Sequence, residues 1–144
     1  MCTKNQCKYC VEIISLLPEL KYTDEILFNL GTHCKNIDSN WKLMIKYYLM
    51  AIEKGNLDAM YNLGRYYDAI ENNYDLMKKY YLMAIDKGDS WAMNNLGIYY
   101  KNIEKNYDLM KKYYLMANKY KYINTNKYIT QIYYNYKSFN YKKL

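Results

Sequence analysis

Two short motifs recur at one fixed spacing along this chain of 144 residues. The pair Leu-Gly stands at 30/31, 63/64 and 96/97, and the run Tyr-Tyr-Leu-Met-Ala begins at Tyr47, Tyr80 and Tyr113. The spacing is 33 residues in every case. A period of about 20 to 50 residues is typical of solenoids, in which each unit buries its apolar face against its neighbours. The period therefore predicts a repeat architecture.

Each unit contains two segments with the periodicity of an amphipathic helix, which we call helix A and helix B. The apolar positions of the second unit are Ala59, Leu63, Tyr66, Tyr67 and Ile70 in helix A, and Met77, Tyr81 and Ala84 in helix B. The spacing predicts helix A at about 24–37, 57–70 and 90–103, and helix B at about 40–54, 73–87 and 106–120. The predicted fold class is all-α, an α-α superhelix of helix-turn-helix repeats.

The boundaries follow from capping residues. Asparagine precedes helix B at Asn40, Asn73 and Asn106, where its side chain can cap the first turn. Gly55 and Gly88 stand where a left-handed residue would end helix B. The resulting map is a single repeat domain over 1–144, with a capping helix at 1–23, repeats at 24–56, 57–89 and 90–122, and a capping helix with a basic tail at 123–144.

Composition narrows the class of protein. Lys, Asn, Ile and Tyr supply half of the residues, and their AT-rich codons point to an AT-rich source genome such as that of a giant DNA virus. The hydrophobic fraction of 51% and the charged fraction of 24% are those of a globular protein. No apolar run approaches the ~18 residues of a membrane helix, and the first residues do not resemble a secretion signal. We expect an intracellular, cytoplasmic protein with no membrane partner.

The repeat resembles the Sel-one-like repeat, a relative of the tetratricopeptide repeat with Ala-x3-Leu-Gly-x2-Tyr in helix A and spaced Tyr and Ala before a Gly in helix B. The matching residues are Ala59, Leu63, Gly64, Tyr67, Tyr80, Tyr81, Ala84 and Gly88, followed by Ala92, Leu96, Gly97, Tyr100, Tyr113, Tyr114 and Ala117. Two features depart from the family. Met44, Met77 and Met110 replace a small Ala, and the glycine-containing link between the helices is missing.

The resemblance implies a binding scaffold without chemistry of its own, which holds a protein or peptide on a concave surface lined by helix A. The residues agree with a protein that is not an enzyme and carries no cofactor. There is one His and one Arg, with no glycine-rich phosphate loop and no evident pair of catalytic carboxylates. The oligomeric state is left open by the sequence.

A zinc site is the sharpest chemical alternative. Cys7 and Cys10 have zinc-knuckle spacing, and His33 with Cys34 could complete four ligands, as in a zinc-dependent adaptor of the ubiquitin-ligase type. The repeat register offers another explanation, because His33 and Cys34 align with core tyrosines and free Cys is commonly a buried filler. We favour buried thiols and predict no metal ligands, with a packing role for both His33 and Cys34.

A nucleic acid is the alternative partner. Residues 109–144 contain eight Lys, nine Tyr and no acidic residue, and basic residues interleaved with aromatics can bind single strands. However, Tyr and Lys are frequent throughout, and the segment lacks Arg, the better bidentate phosphate ligand. We therefore favour a solvated capping helix over nucleic acid binding.

Comparison of two repeats indicates where a partner binds. Residues 57–84 and 90–117 are identical at 21 of 28 positions. The seven differences are Leu57/Ser90, Asp58/Trp91, Tyr61/Asn94, Arg65/Ile98, Asp68/Lys101, Ala69/Asn102 and Asn72/Lys105. At about 100° per residue they occupy one third of helix A, opposite its core face, whereas helix B is unchanged. Neutral drift of an exposed face would be expected to alter helix B as well.

We call the corresponding surface the helix A stripe. Its predicted partner-binding residues are Glu25, Phe28, Thr32, Lys35, Asp58, Tyr61, Asn62, Arg65, Asp68, Trp91, Asn94, Asn95, Ile98 and Lys101. Phe28, Tyr61 and Trp91 are the predicted anchors, because large rings often carry interface energy. Asn62 and Asn95 border the stripe and could bind either an extended peptide backbone or an adjacent repeat.

Overall fold

The computed structural model describes residues 22–121, apart from the side chains of residues 37 and 38. This part of the chain contains six helices and no strand. They are α1 (Asp24–Asp38), α2 (Trp41–Glu53), α3 (Leu57–Ala69), α4 (Tyr74–Asp86), α5 (Ser90–Asn102) and α6 (107–121). Helices α1, α3 and α5 are the predicted helix A, and the other three are helix B. The all-α repeat class is confirmed, whereas the predicted terminal capping helices fall almost wholly outside the described residues.

Asparagine side chains start helix B at the predicted places. The Oδ1 atoms of Asn40, Asn73 and Asn106 each accept a hydrogen bond of 3.1 Å from the backbone N–H three residues later. This bond satisfies one of the unpaired donors of the first turn. The three N-caps are therefore confirmed, and each helix B begins one residue after its cap.

Helix A also has a cap in every repeat, at a position where the sequence prediction named none. Thr23, Asn56 and Asp89, spaced by 33 residues, accept bonds of 3.2, 2.7 and 2.7 Å from Ile26, Ala59 and Ala92. Because three different residue types occupy this position, no recurring residue marks the N-cap of helix A in the sequence. Each of them can accept a hydrogen bond from the helix N-terminus, which is the property that the position requires.

The chain turns through left-handed residues on both sides of helix B. Gly55 and Gly88 have φ of 90° and 87° after α2 and α4, as predicted. Ser39, Asn72 and Lys105 have φ of 48°, 51° and 55° before it. The link between the helices thus keeps a left-handed turn at a position where no glycine is present.

The Leu-Gly and Tyr-Tyr motifs recur together because they touch each other. A Cβ on Gly31, Gly64 or Gly97 would lie 2.5–2.6 Å from a ring atom of Tyr48, Tyr81 or Tyr114, respectively. Real Cβ atoms do not approach so closely, so each glycine makes room for the second tyrosine of its own repeat. Helix A and helix B pack through this contact three times.

The chain divides into two compact units, Met1–Ala84 and Ile85–Leu144. The buried side chains that form the core of the first unit are Leu27, Cys34, Met44, Tyr47, Tyr48, Ala51, Ala59, Leu63, Tyr66 and Tyr80. Those of helices α5 and α6 in the second unit are Ala92, Met93, Leu96, Tyr99, Tyr113 and Ala117. Both cores are rich in tyrosine, whose rings bury large areas while the hydroxyl seeks a polar partner.

Two predictions about the core are wrong. Ile70 is 53% exposed at the C-cap of α3, which ends at Ala69. His33 is exposed, whereas its neighbour Cys34 is completely buried. The core of the first repeat is therefore filled by the thiol and not by the imidazole.

Candidate binding surface

The residues of the helix A stripe reach solvent on all three helices. None of the fourteen predicted positions is buried, whereas the opposite face of α3 places Ala59 and Leu63 at 0% exposure. The stripe is thus accessible to solvent, although some of its side chains also pack on helix B. Its place on a concave surface remains a prediction.

The stripe of the first repeat packs on helix B of the same repeat. The Phe28 ring stacks on Tyr48 with centroids 5.5 Å apart and planes inclined by 16°. The Thr32 hydroxyl lies 3.0 Å from the Tyr48 hydroxyl, close enough for a hydrogen bond. Burial raises the pKa of Tyr48, and the Thr32 contact partly opposes this shift. Phe28 and Thr32 thus have a structural role, while Glu25 is exposed beside them.

The second repeat carries charges around a packed ring. Tyr61 contacts Tyr81 at a centroid distance of 6.1 Å, and the Arg65 guanidinium carbon lies 5.9 Å from the Tyr61 centroid. Burial raises the pKa of Asp68, and the positive charge of Arg65 opposes that rise. An aromatic ring, a cation and a carboxylate therefore lie together on α3, where they can bind polar or charged groups.

Asn62 makes a hydrogen bond within its own helix, which neither predicted alternative named. Its Nδ2 donates 2.8 Å to the backbone carbonyl of Asp58, one turn earlier in the same helix. The hydrogen bond holds the side-chain amide of Asn62 against its own helix. Lys35 on α1 is partly buried at the far end of the first repeat's stripe.

The third repeat presents an apolar version of the stripe. Trp91 is 69% exposed, more than any other exposed large hydrophobic side chain in the described part of the chain, and Ile98 is 41% exposed. Asn94 and Asn95 are partly buried between them. Helix α5 contains no acidic residue, and its one charge is Lys101 in the last turn. This face suits an apolar contact with a neutral or acidic partner.

The three predicted anchors are not equivalent. Phe28 and Tyr61 occupy the same repeat position and pack on a tyrosine, whereas Trp91 stands one turn earlier and projects into solvent. The aromatic rings of the first two repeats therefore have a packing reason to be there. Trp91 is the anchor for which the described residues show no such reason.

Sequence reasoning overlooked one exposed leucine in each helix B. Leu49, Leu82 and Leu115 are 38%, 42% and 59% exposed and share one repeat position. The signal was present in the invariant Tyr-Tyr-Leu-Met-Ala run. Its third residue points away from the core that the flanking Tyr and Ala residues enter.

The structure describes two of the four candidate zinc ligands, His33 and Cys34. Cys34 is fully buried, as predicted. Cys7 and Cys10 lie outside the described residues. Among residues 22–121 no group of three or more His, Cys, Asp or Glu side chains could hold a metal ion, and no helix there is long and apolar enough to cross a membrane.

Comparison with known proteins identifies the architecture. No protein-family model matches the chain, and no curated protein matches its sequence. Its structure is similar to the crystal structure of MamA, with a TM-score of 0.65 and 21% identity over 81% of this chain and 69% of that one. The fold is a tetratricopeptide-like helical repeat.

A second solved structure with this fold is the immunity protein Pa5087 from Pseudomonas aeruginosa. The TM-score is 0.58, with 24% identity over 67% of this chain and 40% of that one. The chain thus spans about two fifths of the length of that protein. At these identities the likeness concerns the fold alone.

Proposed function

We propose that this protein is a non-catalytic scaffold or adaptor that binds a protein or peptide segment through the helix A stripe. One observation carries the proposal. Two repeats that are identical at 21 of 28 positions differ only on helix A and the turn after it, and every differing side chain is exposed or half-buried. Variation confined to an accessible face, on a constant framework, is what a binding surface requires.

The chemistry of the stripe supports a protein partner. In the first unit, α3 combines Asp58, Arg65 and Asp68 around the Tyr61 ring, so charged groups there can orient a partner and speed its association. In the second unit, Trp91 and Ile98 supply apolar area, which contributes more to affinity. Each unit thus offers its own binding face.

The resemblance to Sel-one-like repeats supports the adaptor role and a cytoplasmic site of action, in a host cell if the AT-rich source genome is viral. Cys34 is a buried thiol of the core, which is consistent with a reducing compartment. The zinc-dependent and nucleic-acid alternatives depend on Cys7, Cys10 and the basic residues up to 144, which lie mostly outside the described residues. No observation favours either of them over a protein partner.

The proposal is tested by affinity capture of partners from the cells that make the protein, followed by binding measurements with purified partner. Asp58→Ala with Arg65→Ala removes one negative and one positive charge from α3. The matched control, Glu53→Ala with Lys46→Ala, removes the same charges from the exposed side of α2. Tyr61 is left intact because its loss would also disturb Tyr81.

We expect the α3 pair to weaken binding by about threefold or more and the α2 pair to leave it unchanged. Trp91→Ala with Ile98→Ala should weaken binding by about tenfold or more if the partner reaches the second unit. Circular dichroism and thermal unfolding establish that each variant is folded. Loss of binding with the α2 pair, while both helix A pairs bind normally, would exclude the stripe. Capture of RNA instead of protein would favour the nucleic-acid alternative.

A further inference from the structure

One position of the stripe holds an aromatic ring in two repeats and an amide in the third. Phe28 stacks on Tyr48, and Tyr61 packs against Tyr81, at centroid distances of 5.5 and 6.1 Å. The equivalent residue of the third repeat is Asn94. An asparagine side chain is too small to cover a tyrosine ring as a phenyl group does.

The tyrosine beneath this position is held in the same way in all three repeats. A Cβ on Gly97 would lie 2.6 Å from Tyr114, and the corresponding distances are 2.6 Å for Gly31 and 2.5 Å for Gly64. Tyr114 therefore lies against α5 as its counterparts lie against α1 and α3. The residue over it is the one that differs, being Asn94 in place of Phe28 or Tyr61.

Exposure agrees with this difference. Tyr48 and Tyr81 are 1% and 0% exposed, whereas Tyr114 is only partly buried. Within the described residues no aromatic ring is found stacked on Tyr114. We call the space over Tyr114 and beside Asn94 the Asn94 gap.

The surroundings of the gap resemble a subsite for a single side chain. Trp91 and Ile98 lie about one helical turn to either side of Asn94, and both are exposed. The Asn94 amide can donate and accept hydrogen bonds. The one charge on α5 is Lys101, two turns beyond Asn94. Two exposed apolar side chains, an amide and a lysine therefore lie along the face of α5 on which the other repeats place a ring.

We propose that the Asn94 gap binds an aromatic side chain of a partner peptide, which takes the place that Phe28 and Tyr61 fill in the other repeats. An acidic residue of the same peptide pairs with Lys101. Stacked and tilted aromatic pairs are favourable geometries, and no carboxylate on α5 competes for the lysine. The inference rests on the proposed scaffold function and names the class of residue that the second unit recognises.

The test uses the full chain and a phage-displayed library of random dodecapeptides. We expect the selected peptides to share a Phe, Tyr or Trp, with Asp or Glu at a fixed distance from it. Replacing that aromatic residue by Ala in a synthetic peptide should weaken binding about tenfold or more. Trp91→Ala should act in the same direction, and Lys101→Ala should weaken binding about threefold.

The decisive variant is Asn94→Phe, which installs the ring that the other repeats carry. It should fold, raise the melting temperature by covering Tyr114, and reduce peptide affinity about tenfold. Asn94→Ala, which removes the amide without adding a ring, should weaken binding by less than Asn94→Phe does. Lys111→Ala, which removes a lysine from the exposed side of α6, is the matched control for Lys101→Ala.

Several outcomes would overturn the inference. Selected peptides without an aromatic residue, or equal affinity for Asn94→Phe and wild type, would show that the gap is not the subsite. If such peptides depend on Asp58 and Arg65 instead, the scaffold function stands and this inference fails. If no peptide is enriched and the helix A variants retain the captured partner, both proposals fail.

Discussion

Helices α3 and α5 share a framework and differ in the face that they expose. Their N-caps accept bonds of 2.7 Å in both cases. The stacked tyrosine pairs that join helix A to helix B, Tyr67 with Tyr80 and Tyr100 with Tyr113, have centroids 5.6 and 5.5 Å apart. Outside this framework, α3 exposes charges beside a packed ring, whereas α5 exposes Trp91 and Ile98. The framework therefore tolerates different stripes without a change in geometry.

The same comparison separates residues that hold the fold from residues that are free to specialise. Every residue that caps a helix or makes room for a tyrosine is the same or chemically equivalent in both repeats. The differences are confined to exposed or half-buried residues of helix A and of the link after it. Substitutions in the framework should consequently change the unfolding free energy by equal amounts in both repeats. Substitutions in the link between the helices should change it by different amounts.

The largest expected effect comes from the glycines that contact tyrosine. In Gly64→Ala the new Cβ would lie 2.5 Å from Tyr81 Cδ1, so the ring or the helix must move. We expect a loss of about 2 kcal/mol of unfolding free energy, because overpacking costs more than alanine gains in helix propensity. Gly97→Ala should cost a similar amount. Urea unfolding measures both.

Asn102→Ala is the control for this prediction, since it places alanine at an exposed position of α5. It should leave the unfolding free energy unchanged or slightly higher. A Gly64→Ala protein as stable as wild type would show that the glycine is not required by the tyrosine. Unequal effects of Gly64→Ala and Gly97→Ala would show that the two frameworks are less alike than their distances indicate.

The period of 33 residues was sufficient to predict six helices and the asparagine caps, because both depend on local spacing along one segment. The helix A caps escaped prediction because Thr23, Asn56 and Asp89 share a property and not a residue type. The exposure of the stripe was likewise predictable from helical geometry.

Contacts between helices could not be predicted in the same way. The packing of Phe28 on Tyr48 depends on how α1 and α2 are rotated about their axes, which the period of one helix does not specify. For the same reason the sequence did not show that Cys34 enters the core while His33 remains exposed. The sequence therefore did not show that Phe28 and Tyr61 pack on a tyrosine whereas Trp91 is exposed.

A smaller loss of unfolding free energy is expected on removal of the tyrosine hydroxyl that connects helix A to the link after it. Tyr66 donates to Glu71 Oε1 at 2.5 Å, and Tyr99 donates to Glu104 Oε1 at 2.8 Å. Burial, together with the hydrogen bond to Glu71, raises the pKa of Tyr66 to about 12. Tyr66→Phe and Tyr99→Phe should each lower the unfolding free energy at pH 8 by about 1 kcal/mol.

The Tyr66 contribution should also depend on pH. A tyrosine of the unfolded chain has a pKa of about 10, so the folded protein holds this proton more tightly. The resulting stabilisation is complete below pH 10 and is lost as the pH rises through about 12. In urea unfolding between pH 8 and 12, the difference between wild type and Tyr66→Phe should therefore shrink. A constant difference would mean that the pKa of Tyr66 is not raised.

The smallest effect concerns the one link position at which the two repeats differ in conformational preference. Asn72 and Lys105 both adopt positive φ, at 51° and 55°. Asparagine enters this region more readily than lysine, whose Cβ is strained there. Lys105→Gly should therefore raise the unfolding free energy by about 0.5–1 kcal/mol, whereas Asn72→Gly should change it little, because relief of strain is offset by the greater freedom of glycine in the unfolded chain. Lys105→Asn should recover part of the gain. If Lys105→Gly and Asn72→Gly are equally neutral in thermal unfolding, the left-handed turn costs the third repeat nothing, and the two links are as equivalent as the frameworks that they join.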